Sequence, residues 1–358
     1  MAASLPISGL ITVAVGAEEV RAVAAEEVGG RSRLEPAPVN SQRSLTMQPD
    51  ILMIEPLTPE AERQLDNAYR VHRLFQTGDP AKLVAEIGPS IRAVVTGGGH
   101  GVSNAIADAL PALEIIAING IGTDAVDLER ARARGVRVTT TPGVLTEDVA
   151  DLAIGLMLAV SRRICVADRF VRAGSWPSAR LPLSAKASGK RLGIFGLGHV
   201  GRAVARRAEG FAMPIAYCEP QPVAEVSYRF VPDLKTLAEE SDFLVVATSG
   251  GAATHNLVDR PVLDALGPAG ILINVARGSV VDEAALVAAL AEGSLGGAGL
   301  DVFAHEPEVP KALWAMDNVV LQPHRASATV ETRRAMADLV LANLAAHFAG
   351  REPVTPVV

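Results

Sequence analysis

The sequence has few cysteines and no long hydrophobic run, and both shortages exclude classes of protein. Its 358 residues include only two cysteines, Cys165 and Cys218, which lie far apart and outside any C-x-x-C pair. This spacing argues against a disulfide scaffold or a zinc knuckle, and it fits a reducing cytoplasm. The longest apolar stretch, residues 152–160, is about half the ~18–20 residues that a membrane helix needs, so we expect no membrane partner.

The sequence also lacks an excess of positive charge. Lys and Arg total 33 against 40 for Asp and Glu, which gives a net charge of −7 and no basic footprint for nucleic acid. Hydrophobic residues make up 49% and charged residues 20%, an ordinary balance for a globular protein. The length allows two domains, each with its own core. No metal-ligand cluster is evident in the sequence.

The first 46 residues differ from the rest of the chain. They are rich in Ala, Glu, Val, Ser and Arg, and they show no sustained hydrophobic periodicity. No basic segment precedes their short apolar patch at residues 10–15, so a secretory signal is not indicated. Two interpretations remain open: a disordered N-terminal extension, or a start codon upstream of a true start at Met47.

From Asp50 onward, short apolar runs alternate with helix-forming segments. This alternation, with short loops between the elements, predicts parallel strands that are covered by helices on both faces. The strands predicted in the first half are 51–54, 71–74, 91–96, 115–118 and 136–139, and those in the second half are 192–195, 214–217, 243–247, 271–274, 299–302 and 319–321. We therefore predict an α/β protein with two doubly wound parallel-sheet domains, the first of them flavodoxin-like.

The stretch KRLGIFGLGHVGRAVARRA carries the clearest ligand signature. An apolar run leads into Gly196, Gly198 and Gly201 in the spacing G-x-G-x-x-G, and a helix-forming segment follows. Gly196 permits a tight turn, Gly198 lets a pyrophosphate approach the backbone, and Gly201 lets helix and strand pack closely. The N–H groups at the start of the helix, around His199 and Val200, would then bind the pyrophosphate. The alternative is a glycine-rich turn with a structural role only.

Two longer helices complete the predicted organisation. Residues 146–172 are predicted as one continuous helix capped by Thr146, which at ~1.5 Å per residue would be about 40 Å long. A final helix, residues 328–349, has an apolar stripe and can return to the first domain. We therefore predict a substrate-binding domain of residues 47–145 plus 329–358 and an NAD(P)-binding Rossmann domain of residues 146–328.

Three polar side chains follow the ends of predicted strands in the second domain. Arg277, Glu306 and His324 follow the strands 271–274, 299–302 and 319–321, and the carboxyl ends of parallel strands are where ligands bind in such sheets. Arg277 would bind a carboxylate with its bidentate fork. His324 would exchange a proton, and Glu306 would orient its ring. The alternative is a surface ion pair between Arg277 and Glu306, with His324 capping a helix.

Long motifs in this order resemble the D-isomer-specific 2-hydroxyacid dehydrogenases. The resemblance extends from about residue 51 to the C-terminus and is closest to the glyoxylate/hydroxypyruvate and hydroxyphenylpyruvate reductase branch. It is carried by TPGVLTEDVADLAIGLMLAVSRRI, GIFGLGHVGRAVARRAEGF, ALGPAGILINVARGSVVDEAALVAALAEGSLGGAGLDVFAHEPEVP and NVVLQPHRASATVETRRAMADLVLANLAAHF.

The resemblance implies roles for individual residues. Arg277, Glu306 and His324 match the catalytic positions of the family, and Asp301 in GLDVF matches the residue that holds the nicotinamide carboxamide. The substrate carboxylate is expected to meet the backbone N–H groups around Gly97, Gly98 and Gly122, opposite Arg277, where only glycine lets a backbone come close to a ligand. Because family members pair through the nucleotide-binding domain, a homodimer is implied.

The segment after the second nucleotide-domain strand bears on the choice of cofactor. Pro220 stands where the hydroxyphenylpyruvate branch carries an Arg for the 2′-phosphate of NADP, and Glu219 stands where NAD-dependent relatives carry an acid for the ribose hydroxyls. A carboxylate there would repel a 2′-phosphate, so NAD(H) is favoured over NADP(H), although the closest branch uses NADP. Arg325, next to His324, is a second departure from the family, and it either binds a second anionic group of the substrate or points to solvent.

Together these features predict an NAD(P)H-dependent reductase of short 2-oxo acids, of the glyoxylate/hydroxypyruvate type, that forms D-2-hydroxy acids. His100, in the first glycine-rich loop, is a secondary candidate for substrate contact. Two alternatives remain. One is another substrate of the same family, such as 2-ketogluconate or hydroxyphenylpyruvate. The other is a nucleotide-sensing scaffold like the corepressors that share this fold, which the scarcity of basic stretches disfavours.

Overall fold

Two parallel β-sheets flanked by helices organise residues 48–358, the part of the chain that the computed structural model describes. The predictions for residues 1–46 lie outside the described residues. The predicted fold class, two doubly wound parallel-sheet domains, is confirmed by this architecture.

Five parallel strands form the first sheet: β1 Asp50–Met53, β2 Arg70–Arg73, β3 Ile91–Gly97, β4 Ile115–Asn119 and β5 Arg137–Thr139. Their order is β2-β1-β3-β4-β5, the flavodoxin-like order. The helices between them are α1 Pro59–Ala68, α2 Pro80–Ile87, α3 Asn104–Asp108 and α4 Leu128–Ala133. Strands β1, β3 and β4 are nearly continuous apolar runs because helices cover both faces of the sheet.

Each of these four helices begins after a residue whose side chain accepts a hydrogen bond from the first helical turn. Such caps satisfy backbone N–H groups that have no partner within the helix. The capping residues are Thr58, Asp79, Ser103 and Asp127.

Seven parallel strands form the second sheet: β6 Leu192–Phe195, β7 Ile215–Cys218, β8 Arg229–Phe230, β9 Phe243–Val246, β10 Ile271–Asn274, β11 Gly297–Leu300 and β12 Val319–Leu321. The helices α7 His199–Glu209, α8 Leu234–Glu239, α9 Arg260–Leu266 and α10 Glu283–Glu292 cover it. The strand order is β12-β11-β10-β9-β6-β7-β8. Strands β7 and β8 are thus added on one side of β6, and β9 to β12 are added on its other side. A crevice at such a switch point is where nucleotides bind in Rossmann sheets.

The prediction of one continuous helix over residues 146–172 is wrong, because the chain forms two helices there. Helix α5 is Thr146–Ser161 and helix α6 is Ile164–Arg172, and between them Arg163 adopts a left-handed conformation with φ 54°. Helix α5 is largely buried against β10, β11 and α7, whereas α6 has no buried residue. Arg is a good helix former, so local propensity did not reveal this turn.

The predicted cap at Thr146 is also wrong. The capping position is Leu145, which has no side chain able to accept a hydrogen bond. The Thr146 hydroxyl is buried and has no partner among the described residues. Glu147 and Asp148 lie in the first turn, where their negative charge suits the helix dipole.

The last helix, α11 Val330–Phe348, returns to the first sheet. It starts two residues later than predicted because the Thr329 side chain accepts the N–H of Thr332 and caps it. Its Val340 and Leu344 belong to the core of the first sheet, whereas Met336 belongs to a core shared with α5. Helix α11 thus packs on both halves of the described chain. None of the helices within residues 48–358 has the length and apolar character needed to span a bilayer.

Candidate active site

A cleft of about 740 Å³ lies where the carboxyl ends of both sheets meet. Its walls include residues just beyond β1, β3 and β4 of the first sheet and beyond β6, β9, β10 and β11 of the second. Most of the predicted site residues line this cleft: Gly97, Gly98, Gly122, Gly198, His199, Val200, Arg277, Asp301, Glu306 and His324. Gly196, Gly201 and Glu219 lie beside it rather than on its surface.

The glycines of the G-x-G-x-x-G loop meet three different steric demands. Gly196 has φ 97°, and a Cβ there would lie 2.4 Å from the backbone nitrogen of Thr248. A Cβ on Gly201 would lie 2.0 Å from the carbonyl oxygen of Gly196, so this glycine sets how closely α7 approaches β6. A Cβ on Gly198 would meet nothing within 4 Å. Gly198 also precedes α7 without any side-chain cap, so the loop fits a pyrophosphate: it offers unblocked N–H groups and open space.

This geometry predicts that Gly201→Ala lowers the stability of the fold, whereas Gly198→Ala weakens nucleotide binding. Gly201→Ala should lower the free energy of unfolding by ~1–3 kcal/mol, because its methyl group overlaps backbone that cannot easily move. Gly198→Ala should leave the melting temperature near that of the unsubstituted protein but raise the Kd for NADH at least ~10-fold, equivalent to ~1.4 kcal/mol, because its methyl group occupies the approach of the pyrophosphate. Thermal melts and titrations of both variants test this. Equal effects on stability would contradict the assignment of Gly198.

Glu219 lies at the end of β7 and contacts the same glycine loop. Its Oε1 accepts the N–H of Leu197 at 2.5 Å. Pro220, the next residue, is exposed and has no hydrogen-bond donor for a phosphate. This carboxylate therefore stands directly beside the loop where a dinucleotide would bind.

His324 and Glu306 form a hydrogen-bonded pair on one wall of the cleft. The His324 Nδ1 lies 2.7 Å from Glu306 Oε2, and Glu306 Oε1 accepts the N–H of Phe303 at 3.1 Å. Burial alone would raise the pKa of Glu306, but the hydrogen bond from His324 and its positive charge outweigh it, so the pKa lies below its ordinary value. An ionised Glu306 thus holds the Nδ1 side of the ring and leaves Nε2 available for proton exchange.

The backbone of His324 is unusual, and Asp301 holds it. His324 has φ 52°, a left-handed conformation that side-chain-bearing residues adopt infrequently. Its N–H donates to the carbonyl oxygen of Asp301, and the Asp301 carboxylate accepts the N–H groups of Arg325 at 2.7 Å and Ala326 at 2.9 Å. Asp301 is 1% exposed, and this burial raises the pKa of its carboxyl although the two N–H groups oppose the rise. Strand β11 ends at Leu300, two residues earlier than predicted, so Asp301 lies just past the strand.

Arg277 reaches across the cleft to the first sheet. Its Nε donates to Asp124 Oδ2 at 2.7 Å, and Nη1 donates to the carbonyl oxygen of Ala276 at 2.7 Å. Its Nη2 lies over Gly122, where a Cβ would come within 1.8 Å of it. The alternative ion pair between Arg277 and Glu306 is therefore wrong, and so is the alternative that His324 caps a helix, because Thr329 caps α11. Asp124 was missed; its position two residues after Gly122 was the available signal.

The glycine-rich loops after β3 and β4 pack against each other through their backbones. A Cβ on Gly98 would lie 3.1 Å from the carbonyl oxygen of Gly122. Within residues 48–358, the N–H groups of Gly98 and Gly122 donate no hydrogen bond. Two unpaired N–H groups opposite a guanidinium make a site that suits a carboxylate.

Sequence reasoning missed two further charged residues of the cleft, Glu55 and Arg333. Glu55 follows β1, and its Oε1 lies 2.5 Å from Nδ1 of His100, the secondary candidate. Arg333 lies in the first part of α11 and lines the cleft, whereas Arg325 is exposed and does not. Over residues 48–358, no cluster of three or more His, Cys, Asp and Glu side chains is placed to hold a metal ion.

Comparison with known proteins assigns the family. Residues 154–326 match the model of the D-isomer-specific 2-hydroxyacid dehydrogenase NAD-binding domain. A 2-ketogluconate reductase of Gluconobacter oxydans is 48% identical over 88% of this chain and 100% of its own length. This chain belongs to the D-isomer-specific 2-hydroxyacid dehydrogenases. The predicted resemblance is thus confirmed, and the chain is an NAD(P)-dependent oxidoreductase that interconverts 2-oxo and 2-hydroxy acids.

Other 2-hydroxyacid dehydrogenases of similar sequence differ in substrate. A hydroxyphenylpyruvate reductase of Plectranthus scutellarioides is 50% identical over 86% of this chain and 98% of that protein. An NADPH-dependent glyoxylate/hydroxypyruvate reductase of Sinorhizobium meliloti, solved in complex with NADP and malonate, is 45% identical. The structural match covers 87% of this chain and 97% of that reductase, with a TM-score of 0.82. The names of these relatives show the reaction class but not which 2-oxo acid this dehydrogenase uses.

Proposed function

We propose that this dehydrogenase reduces short 2-oxo acids of the glyoxylate/hydroxypyruvate type to D-2-hydroxy acids and prefers NADH. One observation carries the proposal. Arg277 and the Glu306–His324 pair line the same cleft as the unpaired N–H groups of Gly98 and Gly122. A small 2-oxo acid needs these three functions: a carboxylate site, a cation near the carbonyl oxygen and a proton donor.

The proposed roles follow from the donors that remain free. Arg277 uses Nε and one Nη1 bond within the protein, so its remaining N–H groups can donate to the substrate carboxylate and carbonyl. His324 gives its Nε2 proton to the carbonyl oxygen, which gains negative charge during reduction, and Glu306 stabilises the imidazolium beforehand. Asp301 holds the His324 loop and faces the proposed nicotinamide site. A nicotinamide nucleotide bound on the glycine loop supplies the hydride.

These roles assign substrate binding to one domain and nucleotide binding to the other. The first sheet with α11, residues 47–145 plus 329–358, is proposed to bind the substrate, and residues 146–328 the nucleotide. The free N–H groups in the loops after β3 and β4 support the first assignment. The uncapped start of α7 supports the second.

The preference for NADH rests on Glu219. Its carboxylate stands beside the glycine loop, and a 2′-phosphate ~4 Å away would be repelled by ~1–4 kcal/mol per unit charge at effective dielectrics between water and the protein surface. We therefore expect kcat/KM with NADH to exceed that with NADPH at least ~10-fold. Glu219→Ala should bring the ratio of kcat/KM with NADH to kcat/KM with NADPH closer to one. Gln221→Ala, at an exposed neighbouring position, should leave this ratio unchanged. A faster reaction with NADPH would contradict the preference, and the Sinorhizobium meliloti relative is itself described as NADPH-dependent.

One assay panel tests the substrate proposal. The purified protein is given NADH or NADPH with glyoxylate, hydroxypyruvate, hydroxyphenylpyruvate or 2-ketogluconate, and kcat/KM is measured for each pair. We expect glyoxylate and hydroxypyruvate to be reduced at ordinary enzyme rates, with D-glycerate formed from hydroxypyruvate. Nucleotide binding without turnover of any 2-oxo acid would favour the nucleotide-sensing scaffold instead.

We further propose a cytoplasmic homodimer. Several large apolar side chains on and after α6 are exposed to solvent in the single chain, which favours a partner surface there: Ile164, Val171, Trp176 and Leu183. The low number of cysteines, two in the whole sequence, supports a reducing compartment. Light scattering that gives the mass of one chain would contradict the dimer.

A further inference from the structure

We infer that the cleft contains a second polar subsite, formed by Arg333, Glu55 and His100, which binds the hydroxylated chain of a sugar-derived 2-oxo acid. The inference rests on the proposed function, because it extends the substrate site beyond the carboxylate and the carbonyl. Neither the fold nor the names of the relatives assigns a role to these three residues.

Arg333 is a cation without a partner inside the cleft. Its side chain lines the cavity and is partly buried, yet it makes no hydrogen bond and no ion pair with any residue in 48–358. Burial lowers the pKa of its guanidinium, although the charge of Glu55 opposes this. Keeping an unpaired cation partly buried is unfavourable unless a ligand supplies hydrogen-bond acceptors. Arg333 is therefore best explained as a ligand-binding group.

Glu55 and His100 contribute the opposite type of group on the first-sheet wall of the cleft. The Glu55 carboxylate covers Gly97, where a Cβ would lie 1.6 Å from Oε2, and its other oxygen pairs with His100 at 2.5 Å. The carboxylate thus lies beside Gly98, whose free N–H is the proposed carboxylate site. A substrate anchored at Gly98 and Arg277 would therefore lie next to this pair.

The mixture of charges indicates what kind of chain fits. Arg333 donates hydrogen bonds and Glu55 accepts them, and a hydroxyl group can do both. A second carboxylate on the substrate would be attracted by Arg333 but repelled by Glu55, whereas a neutral hydroxyl group suits both side chains. An aromatic substrate ring would find no large aromatic side chain to stack on, because no Phe, Tyr or Trp is among the cleft-lining residues, which all belong to the described part of the chain. A neutral chain with several hydroxyl groups is the tail that satisfies all three side chains.

The test compares a substrate that has such a chain with one that has none. The ratio of kcat/KM for 2-ketogluconate to kcat/KM for glyoxylate is measured in the unsubstituted protein, in Arg333→Met and in Glu55→Gln. We expect Arg333→Met to lower this ratio about 10- to 100-fold, the range for losing a hydrogen bond to a charged group. Arg334→Met is the matched control, because Arg334 is exposed and makes only a distant pair with Glu60, so the ratio should stay constant.

Each other outcome has a distinct meaning. If the unsubstituted protein reduces glyoxylate but not 2-ketogluconate, the subsite is overturned while the proposed function stands. Equal losses on both substrates in Arg333→Met and in Arg333→Gln, with melting temperatures maintained, would make Arg333 a general positioning residue and overturn its subsite role. If the unsubstituted protein reduces no 2-oxo acid at all, the proposed function itself fails, and the subsite with it.

Discussion

Replacing His324 with Asn is expected to lower kcat for glyoxylate reduction by about 10²–10⁴-fold, the usual contribution of a positioned general acid. Asn is the informative choice because His324 has φ 52°, and Asn adopts this left-handed conformation more readily than most residues. The loop that Asp301 organises should therefore keep its shape. The Kd for NADH should stay close to that of the unsubstituted protein, since the glycine loop is untouched.

The control for this experiment is His305→Asn. His305 adjoins Glu306 in sequence, but it is exposed and does not line the cleft, so its loss should leave kcat within a small factor. The companion variant Glu306→Gln removes the charge that holds the Nδ1 side of the His324 ring and should also lower kcat. Near-normal turnover by His324→Asn would remove His324 from the mechanism.

Replacing Arg277 with Lys is expected to lower kcat/KM for 2-oxo acids by about 10²–10⁴-fold. Lysine keeps the charge but loses the planar fork, and two charge-assisted hydrogen bonds of ~1.5–3 kcal/mol each disappear. The Asp124 contact is also lost, so the cation is no longer held over Gly122. Steady-state kinetics should show most of the loss in KM if Arg277 chiefly binds the carboxylate, and in kcat if it chiefly stabilises the carbonyl oxygen.

Arg260→Lys provides the matched control for Arg277→Lys. Arg260 lies on α9 of the same domain, pairs with Asp264 and Glu292, and does not line the cleft. The two substitutions change the same functional group, so only the cleft position should affect kinetics. Similar kcat/KM values for both variants would contradict the role assigned to Arg277.

The strands were predictable because their burial requires apolar residues, which are visible in the sequence. Parallel strands covered on both faces appear as short apolar runs, and β6, β10 and β12 begin and end as predicted. The two-residue strand β8 has no such run, since Arg229 is exposed and Phe230 only partly buried. The break between α5 and α6 was hidden for another reason: Arg162 and Arg163 are compatible with a helix, and packing at α5 decides where the helix ends.

The site residues were predictable from the sequence where a side chain suited to one chemical role directly follows the end of a predicted strand. Arg277, Glu306 and His324 each follow a strand of the same sheet, so the topology alone brings them together. Asp124 and Glu55 were missed because their partners, Arg277 and His100, belong to other segments of the chain and meet them only in the folded protein. Arg333 lies in the first part of the long helix α11, and only its unpaired position in the cleft distinguishes it.

The central claim is that one cleft both holds a nicotinamide nucleotide and reduces a 2-oxo acid through Arg277 and the Glu306–His324 pair. The most direct measurement follows the disappearance of NADH absorbance when glyoxylate or hydroxypyruvate is added to the unsubstituted protein and to His324→Asn at equal nucleotide saturation. We predict rapid oxidation by the unsubstituted protein and almost none by the variant. The account would be contradicted if neither protein oxidised NADH although both bound it, or if both oxidised it equally fast.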